Sequence, residues 1–189
     1  ATKDLALDLS PAPPLPAETA MPKLPEFSIR DTSRADYGAK DLRSGFSLDL
    51  WLKLASSAPN QAILDSRTAA GKGILVSTCA AGAIRIALCD GRQEVAWTSD
   101  RGAVEAGKDH HVVITVDGGP KIITFVVDGV VCDGGDDRQF GWGRFSHTLR
   151  APNGSPTVKL ADSVRSLRVY TRAIRTSEAV GNFRAGLAD

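Results

Sequence analysis

Short runs in which apolar and polar residues alternate are the feature that most constrains how this chain can fold. The run GFSLDLWLKL, residues 45–54, has a period of two, which is typical of a β-strand with one buried face. Its apolar face consists of Phe46, Leu48, Leu50, Leu52 and Leu54. Its other face carries Ser47, Asp49, Trp51 and Lys53. The stretch therefore predicts a long strand whose apolar face belongs to the core.

Further runs of strand character follow at short intervals, separated by clusters of Gly, Asp, Asn and Pro that suit tight turns. They are AILDSR (62–67), GILVSTC (73–79), AIRIALC (83–89), EVAWTS (94–99), HHVVITV (110–116), KIITFVV (121–127) and VRSLRVY (164–170). No helical pattern lies between these runs. The chain therefore predicts an all-β fold, in which short antiparallel strands form a sandwich or a barrel.

Residues 110–134, HHVVITVDGGPKIITFVVDGVVCDG, combine two such runs with two Asp-Gly steps. The second step, Asp128-Gly129, suits a two-residue turn in which both residues have a positive φ. It would fold Val130 and Val131 back onto the preceding strand. This segment predicts a hairpin followed by a short return strand.

The one convincing helix signal is RTSEAVGNFRAG, residues 175–186. Thr176 can cap its first turn, and Glu178 suits the positive end of the helix dipole. Gly186 can end the helix in a left-handed conformation. Because Gly181 weakens the helix interior, we expect this helix to depend on packing against the sheets.

Three segments in order resemble the concanavalin A-like jelly rolls of the laminin G and pentraxin type. FSLDLWLKL is similar to the first long core strand of that family, and HHVVITVDG with ITFVVDGVV resembles its hairpin. VRSLRVYTRAIRTSEAVGNFRAG is similar to its closing strand and short helix. The resemblance implies a two-sheet antiparallel jelly-roll β-sandwich with one short C-terminal helix.

Residues 1–27 differ in composition from the rest, since they contain six of the ten prolines. Proline has a fixed φ and no amide hydrogen, so such a segment favours extended structure outside a strand ladder. We expect residues 1–27 to form a Pro-rich N-terminal tether, or a strap whose Leu and Phe residues hold it on the sandwich. Residues 28–189 are expected to form the jelly-roll domain.

The charges nearly balance, with 23 Lys plus Arg against 22 Asp plus Glu. Such a chain has no bulk positive field to hold a polyanion, so we expect no nucleic-acid partner. No apolar run reaches the ~18 residues needed to span a bilayer, so no membrane span is expected.

The cysteines, Cys79, Cys89 and Cys132, are odd in number and lack the Cys-x-x-Cys spacing of structural zinc sites. Cys89 and Cys132 each begin a Cys-Asp-Gly triplet after an apolar run. A disulfide between these two and a set of free thiols both remain open at this point.

The carboxylates do not match the pattern of a glycoside hydrolase. Such enzymes work with two carboxyl groups that flank the sugar bond. This chain has five Glu residues and no Glu-x-Asp-x-x-Glu run.

His110 and His111 are adjacent, so they point to opposite faces of a strand and cannot share a metal ion. We interpret them as strand-edge or surface residues. We therefore expect no catalytic residues.

The resemblance implies calcium as the metal to consider, because carboxylates and backbone carbonyls often hold it in this family. The candidate ligands are Asp133, Asp136 and Asp137 in DGGDD, together with Asp162 before the closing strand. Their spacing matches no EF-hand loop, and the alternative is that they are turn-forming aspartates in solvent. No cofactor is otherwise implied.

The best candidate for a ligand-binding residue is Trp142, in RQFGWGRF at 138–145. An aromatic ring can stack on the CH face of a sugar, with a gain of about 0.5–1.5 kcal/mol beyond burial. A Gly-Trp-Gly loop is hard to explain as a regular strand. Arg138, Phe140 and Arg144 lie close to Trp142 in sequence and complete the predicted ligand-binding set.

The other tryptophans have structural interpretations. Trp51 lies opposite the leucine face of its strand, and we expect the closing helix or the N-terminal strap to cover it. Trp97, within a predicted strand, is expected in the core.

The resemblance to concanavalin A-like domains implies a non-catalytic recognition module, with a carbohydrate or glycoconjugate as the expected ligand. Such a module would act in an extracellular, periplasmic or cell-surface location, alone or attached to a larger secreted enzyme. Two alternatives remain. One is a protein-interaction or assembly domain of the laminin G type, and the other is a glycoside hydrolase with a site built from Asp residues.

Overall fold

The alternating runs pair with one another as the antiparallel strands of two sheets. The computed structural model describes residues 4–9, 15–27 and 44–187. Within these ranges the larger sheet has seven strands. In spatial order they are β1 (Leu5–Asp8), β13 (Val164–Tyr170), β3 (Gly45–Lys53), β8 (Asp109–Asp117), β9 (Ile122–Val127) and β10 (Val130–Val131), and β11 (Gly143–Arg144) also pairs with β9.

The second sheet has six strands in the described part of the chain. Their spatial order is β2 (Glu18–Ala20), β12 (Thr157–Leu160), β4 (Ala62–Asp65), β5 (Gly73–Cys79), β6 (Ala83–Cys89) and β7 (Glu94–Thr98). A short 3₁₀ turn at Ala80–Gly82 joins β5 to β6. The prediction of a two-sheet antiparallel jelly-roll sandwich with one short C-terminal helix is confirmed.

The core lies between the two sheets and is built from the faces that the alternation predicts. On β3, the central strand of the larger sheet, the leucine face is buried, and Leu50 pairs with Val112 of β8. On β6 of the second sheet, Ile84 and Ile86 are likewise fully buried. Each fully buried side chain of this size contributes about 1.5–3 kcal/mol relative to an exposed one.

The described part of the N-terminal segment lies along the sandwich. β1 adds to the larger sheet beside β13, and β2 adds to the second sheet beside β12. Further along the same segment, Leu24 and Phe27 are buried. Both strands are free of proline, which explains how a proline-rich segment can still enter two ladders. The domain boundary after residue 27 stays a prediction.

Phe27 is the deepest anchor of this segment. Its ring is fully buried, and its centroid lies 6.3 Å from that of Phe46 and 5.1 Å from that of Phe145. Its backbone amide donates to the carbonyl of Arg150 at 2.7 Å. These contacts join the segment to Phe46 of β3 and to Phe145, which follows β11.

The predicted Asp128-Gly129 turn joins β9 to β10, with φ values of 49° at Asp128 and 76° at Gly129. The carboxylate of Asp128 accepts from the backbone amide of His111 at 2.8 Å and contacts Nδ1 of His110 at 2.7 Å. Because Nε2 of His110 accepts from the backbone amide of Glu105, Nδ1 carries the hydrogen and donates it to Asp128. Both histidines are buried, so their interpretation as strand-edge or surface residues was wrong.

The helix α1 (Thr176–Gly186) packs on the outer face of the larger sheet and covers Trp51. Phe183 stacks on the indole with 5.9 Å between the ring centroids. Gly186 belongs to the helix, and Leu187 after it is right-handed, so the predicted left-handed end at Gly186 was wrong. A Cβ on Gly186 would lie 2.7 Å from the Trp51 ring, so this glycine serves close packing. No helix among the described residues is long and apolar enough to cross a membrane.

A buried polar cluster holds this helix on the sheet. Asp49 of β3 and His111 of β8 are both buried, and Oδ1 of Asp49 lies 2.9 Å from Nε2 of His111. Asn182 of α1 donates from Nδ2 to Oδ2 of Asp49 at 2.6 Å. Buried carboxylates need such partners, because an unpaired one is strongly destabilising. Asp49, which the alternation places on the polar face of β3, thus anchors the helix.

The first turn of α1 is held by Glu178 rather than by the predicted cap Thr176. The Glu178 carboxylate accepts from both terminal nitrogens of Arg172, at 2.6 and 2.9 Å, and from the backbone amide of Arg175 at 2.8 Å. These hydrogen bonds, with the Arg172 pair as the main cause, lower the pKa of Glu178 from 4.5 to about 2.

We predict that replacing Phe27 by Ala lowers the free energy of unfolding by about 3–5 kcal/mol, because a fully buried ring in contact with two others is lost. Urea denaturation of the two proteins measures the difference. Val130→Ala is the control, since Val130 is 69% exposed and its change should stay within about 0.5 kcal/mol. A Phe27→Ala variant as stable as this control would contradict the role of Phe27 as an anchor.

Glu178 gives a pH-dependent prediction. Its folded pKa lies below its ordinary value, so its contribution is complete above pH 4.5 and is lost as the pH falls toward 2. Because the side chain is 32% exposed, we expect Glu178→Gln to cost about 1–2 kcal/mol at pH 7. The difference from the parent protein should disappear near pH 2.

Denaturation curves across this pH range provide the measurement. Glu94→Gln is the control, because Glu94 forms a more exposed ion pair with Arg85 and should contribute less than about 1 kcal/mol at any pH. A cost of Glu178→Gln that does not change between pH 7 and pH 2 would contradict the assignment.

Candidate functional site

The loop from residue 132 to residue 142 connects β10 to β11 and is held against the second sheet by Arg138. The Arg138 guanidinium lies 2.7 Å from Oδ1 of Asp100 and donates to the carbonyl of Thr98 at 3.0 Å. Its Cζ lies 4.8 Å from the centre of the Trp97 ring, within the range of a cation–π contact. Arg138 is thus occupied by protein partners, and we assign it a positioning role in the predicted site.

The glycines on either side of Trp142 are required by close packing. Gly143 faces the Trp97 ring so closely that a Cβ at this position would overlap ring atoms. A Cβ on Gly141 would overlap the backbone carbonyl of Cys132, and the carbonyl of Gly141 accepts from Nε1 of Trp97 at 3.0 Å. The Gly-Trp-Gly backbone therefore packs against the Trp97 ring at Gly143 and against the Cys132 backbone at Gly141.

Three side chains on this loop and on β11 form a surface that we call the aromatic platform: Phe140, Trp142 and Arg144. The rings of Phe140 and Trp142 stack with their centroids 5.0 Å apart and 27° between their planes. Phe140 is 48% exposed, Trp142 is half-buried and Arg144 is exposed. Cζ of Arg144 lies 5.7 Å from the Trp142 ring centre.

The platform offers two kinds of contact to a ligand. Because the two rings stack, each covers one face of the other, and the ring faces turned away from the stack provide apolar surface. The Arg144 guanidinium provides hydrogen-bond donors beside the Trp142 ring. Among the residues that the structure describes, Arg144 forms no ion pair. The arrangement suits a ligand with an apolar face and polar groups at its rim.

The aspartates that we considered as calcium ligands do not form a common site. Asp133 accepts from the backbone amide of Gly135 at 2.9 Å, as in a tight turn, and Asp137 pairs with Arg101 at 3.3 Å. Asp136 is exposed, and Asp162 lines a separate cleft beside Leu15. In the described ranges no three His, Cys, Asp or Glu side chains are grouped closely enough to hold a metal ion.

The cysteines are all free. Cys132 is buried, and burial raises the pKa of its thiol. A bridge from Cys89 to Cys132, one of the two alternatives left open by the sequence, is not formed.

Sequence reasoning missed the residues that position the platform, namely Trp97 and Thr98 of β7 and Asp100 shortly after it. Asp100 contacts Arg138 across 38 positions in the chain, so no local pattern connects the two. The paired glycines around Trp142 were the available signal, since closely spaced glycines outside a turn often mark close packing.

Gly143→Ala tests this packing. We predict a loss of about 1–3 kcal/mol in the free energy of unfolding and a change in tryptophan fluorescence, because the added methyl displaces Trp97 or β11. Gly181→Ala is the matched control, because its Cβ would enter open space on α1 and should be neutral or stabilising by up to about 1 kcal/mol. Equal stability of the two variants would contradict the assigned contact.

Comparisons with known proteins agree with this architecture. A family model described as the Concanavalin A-like lectin/glucanases superfamily matches residues 31–179. No curated protein sequence matches the chain significantly.

Several solved structures are similar in fold. The CBM40 of Ruminococcus gnavus IT-sialidase, bound to α2,3-sialyllactose, has a TM-score of 0.57 and 13% identity, over 88% of this chain and 97% of that one. A binding domain of botulinum neurotoxin serotype G has a TM-score of 0.59 and 12% identity, over 77% of this chain and 37% of that one.

A structure of botulinum neurotoxin type C, whose cell entry depends on interaction with two ganglioside molecules, has a TM-score of 0.55 and 15% identity. The match covers 75% of this chain and 36% of that one. The chain thus spans little more than a third of the neurotoxin chains and nearly all of the CBM40 chain. Identities this low show a common fold.

Proposed function

We propose that this chain, which belongs to the Concanavalin A-like lectin/glucanases superfamily, is a non-catalytic carbohydrate-binding module. The observation that carries the proposal is the aromatic platform of Phe140, Trp142 and Arg144. Its two rings stack at the surface, and the hydrogen bond from the Trp97 indole to the Gly141 carbonyl holds the loop that carries them. Fold alone does not define a function, so the proposal depends on this surface.

The chemistry of the platform suits a sugar. The CH groups on one face of a pyranose can lie on the face of the Trp142 ring that Phe140 leaves uncovered, with a gain of about 0.5–1.5 kcal/mol beyond burial. Arg144 can donate to hydroxyl or carboxylate oxygens at the rim of the same ring. Arg138 supports binding indirectly, since its contacts with Trp97 and Asp100 hold the loop against the second sheet.

Two of the similar structures support a saccharide as the ligand class. The CBM40 structure contains sialyllactose, and the type C neurotoxin is described through its interaction with gangliosides. We propose by analogy that this chain also recognises a glycan or glycoconjugate. Carbohydrates of this kind occur outside the cytoplasm, so we further propose an extracellular, periplasmic or cell-surface location, alone or attached to a larger enzyme.

Binding to a glycan array before and after Trp142→Ala tests the proposal. We predict that the parent protein binds at least one glycan class and that Trp142→Ala lowers this binding at least about tenfold, because the stacking surface is lost. Leu187→Ala is a control for loss of an exposed apolar side chain, since Leu187 is 64% exposed. Binding that survives Trp142→Ala would remove the platform from the proposal.

Arg144→Ala, compared with Arg165→Ala, separates a specific contact from general charge. Both arginines are exposed, and only Arg144 lies beside Trp142. We expect the array signal to fall only for Arg144→Ala.

Two other results would favour a different function. A stoichiometric protein partner without any glycan signal would favour an assembly domain, and turnover of a chromogenic glycoside would contradict the non-catalytic assignment.

A further inference from the structure

The aromatic platform faces the outer side of the larger sheet. β11 pairs with β9 so that Gly143 lies opposite Ile123 and Arg144 lies opposite Ile122. Gly143 points inward, toward Trp97 of the second sheet. Since side chains alternate along a strand, Arg144 points outward, away from the core, and the Trp142 ring lies beside its guanidinium.

A cleft of about 450 Å³ lies on this same outer face. Its floor comes from β8 and β9, through Thr115, Asp117, Ile122 and Thr124. Its far wall is the segment that leads into α1, from Ala173 to Thr176, and Pro120 closes one side. The volume falls within the usual range for small-molecule sites, about 300–1,000 Å³.

The platform and the cleft are neighbours. Ile122 lines the cleft and is the register partner of Arg144, and partners in adjacent strands place their side chains on the same face at close range. Continuing the same antiparallel register places Trp142 beside Thr124, which also lines the cleft. A ligand that lies on Trp142 can therefore continue directly over β9 into the cleft.

The floor of the cleft offers hydrogen-bonding groups that the protein uses little. Within the described residues the Thr124 hydroxyl has no hydrogen-bond partner, and the Thr115 hydroxyl accepts only a long contact of 3.4 Å from Ser47. Asp117 accepts from the backbone amide of Gly119 through Oδ1 at 3.0 Å. Burial raises the pKa of Asp117, as expected for a carboxyl group that lies in a recess.

We infer that the platform and the cleft form one groove that binds an oligosaccharide of at least two units, one stacked on Trp142 and the next held over Thr115 and Thr124. This inference rests on the proposed function, and it adds the size of the ligand and a second set of contacts. Hydroxyl groups of threonine and a carboxylate are suited to the hydroxyl groups of a sugar ring. Ile122 and Pro120 supply apolar contact beside them.

The test uses an array of neutral and sialylated glycans that runs from monosaccharides to longer chains, followed by calorimetric titration of the bound series. The parent protein should bind chains of two or more units more tightly than the corresponding monosaccharide. Thr115→Val combined with Thr124→Val should lower the affinity for the longer chains about tenfold, because two hydrogen bonds are lost, and leave monosaccharide binding unchanged.

Thr68→Val, at an exposed threonine remote in sequence from the groove, is the matched control and should change neither affinity. Thermal unfolding of each variant checks that the fold is intact. Equal affinity for short and long chains, or longer-chain binding unchanged by the double substitution, overturns the groove. Binding that needs Trp142 but not the threonines also overturns it and leaves the proposed function standing, whereas absence of any glycan binding overturns both.

Discussion

The contact between Trp97 and Gly143 is the constraint on which the proposed binding surface depends. Trp97 occupies the space between the sheets that a side chain at position 143 would need, and its indole donates to the carbonyl of Gly141. With position 143 turned inward, Arg144 points outward, and the Trp142 ring lies beside its guanidinium. The partly buried Trp97 ring thus helps to orient the segment that carries Trp142.

The larger sheet uses its outer face in two different ways. Over Trp51 and His111 the face is covered by α1, and the buried pair of Asp49 and His111 with Asn182 fixes the helix there. Over Thr115 and Thr124 the face is left open as a cleft. The same face is therefore partly a packing surface and partly a solvent-facing groove, and the segment leading into α1 is the border between them.

Much of the fold could be predicted from the sequence because its strands are short, alternating and bounded by turn residues. GILVSTC (73–79), AIRIALC (83–89) and VRSLRVY (164–170) coincide with β5, β6 and β13. Local sequence patterns predicted less where contacts between distant parts of the chain determine the conformation. Gly186 suited the end of a helix, yet its place is set by the Trp51 ring. The composition of residues 1–27 left both a tether and a strap open, and the packing of Phe27 against core rings is a contact between distant parts of the chain.

The candidate site, too, could be predicted from the sequence only in part. The glycines around Trp142 drew attention to the platform, because Gly-Trp-Gly is unusual outside a close-packed loop. The role of Arg138 depends on Asp100, and the cleft brings together residues of β8, β9 and the start of α1, which no local pattern connects. Threonines on the polar face of a strand carry no special signal until the sheet places them side by side.

The most direct test of the central claim is an NMR titration that follows the indole N–H signals of Trp51, Trp97 and Trp142 while an array-selected oligosaccharide is added. We predict that the Trp142 signal moves, whereas the signals of Trp51, packed under α1, and of Trp97, hydrogen-bonded to Gly141, stay in place. Binding of the oligosaccharide with no movement of the Trp142 signal would contradict it.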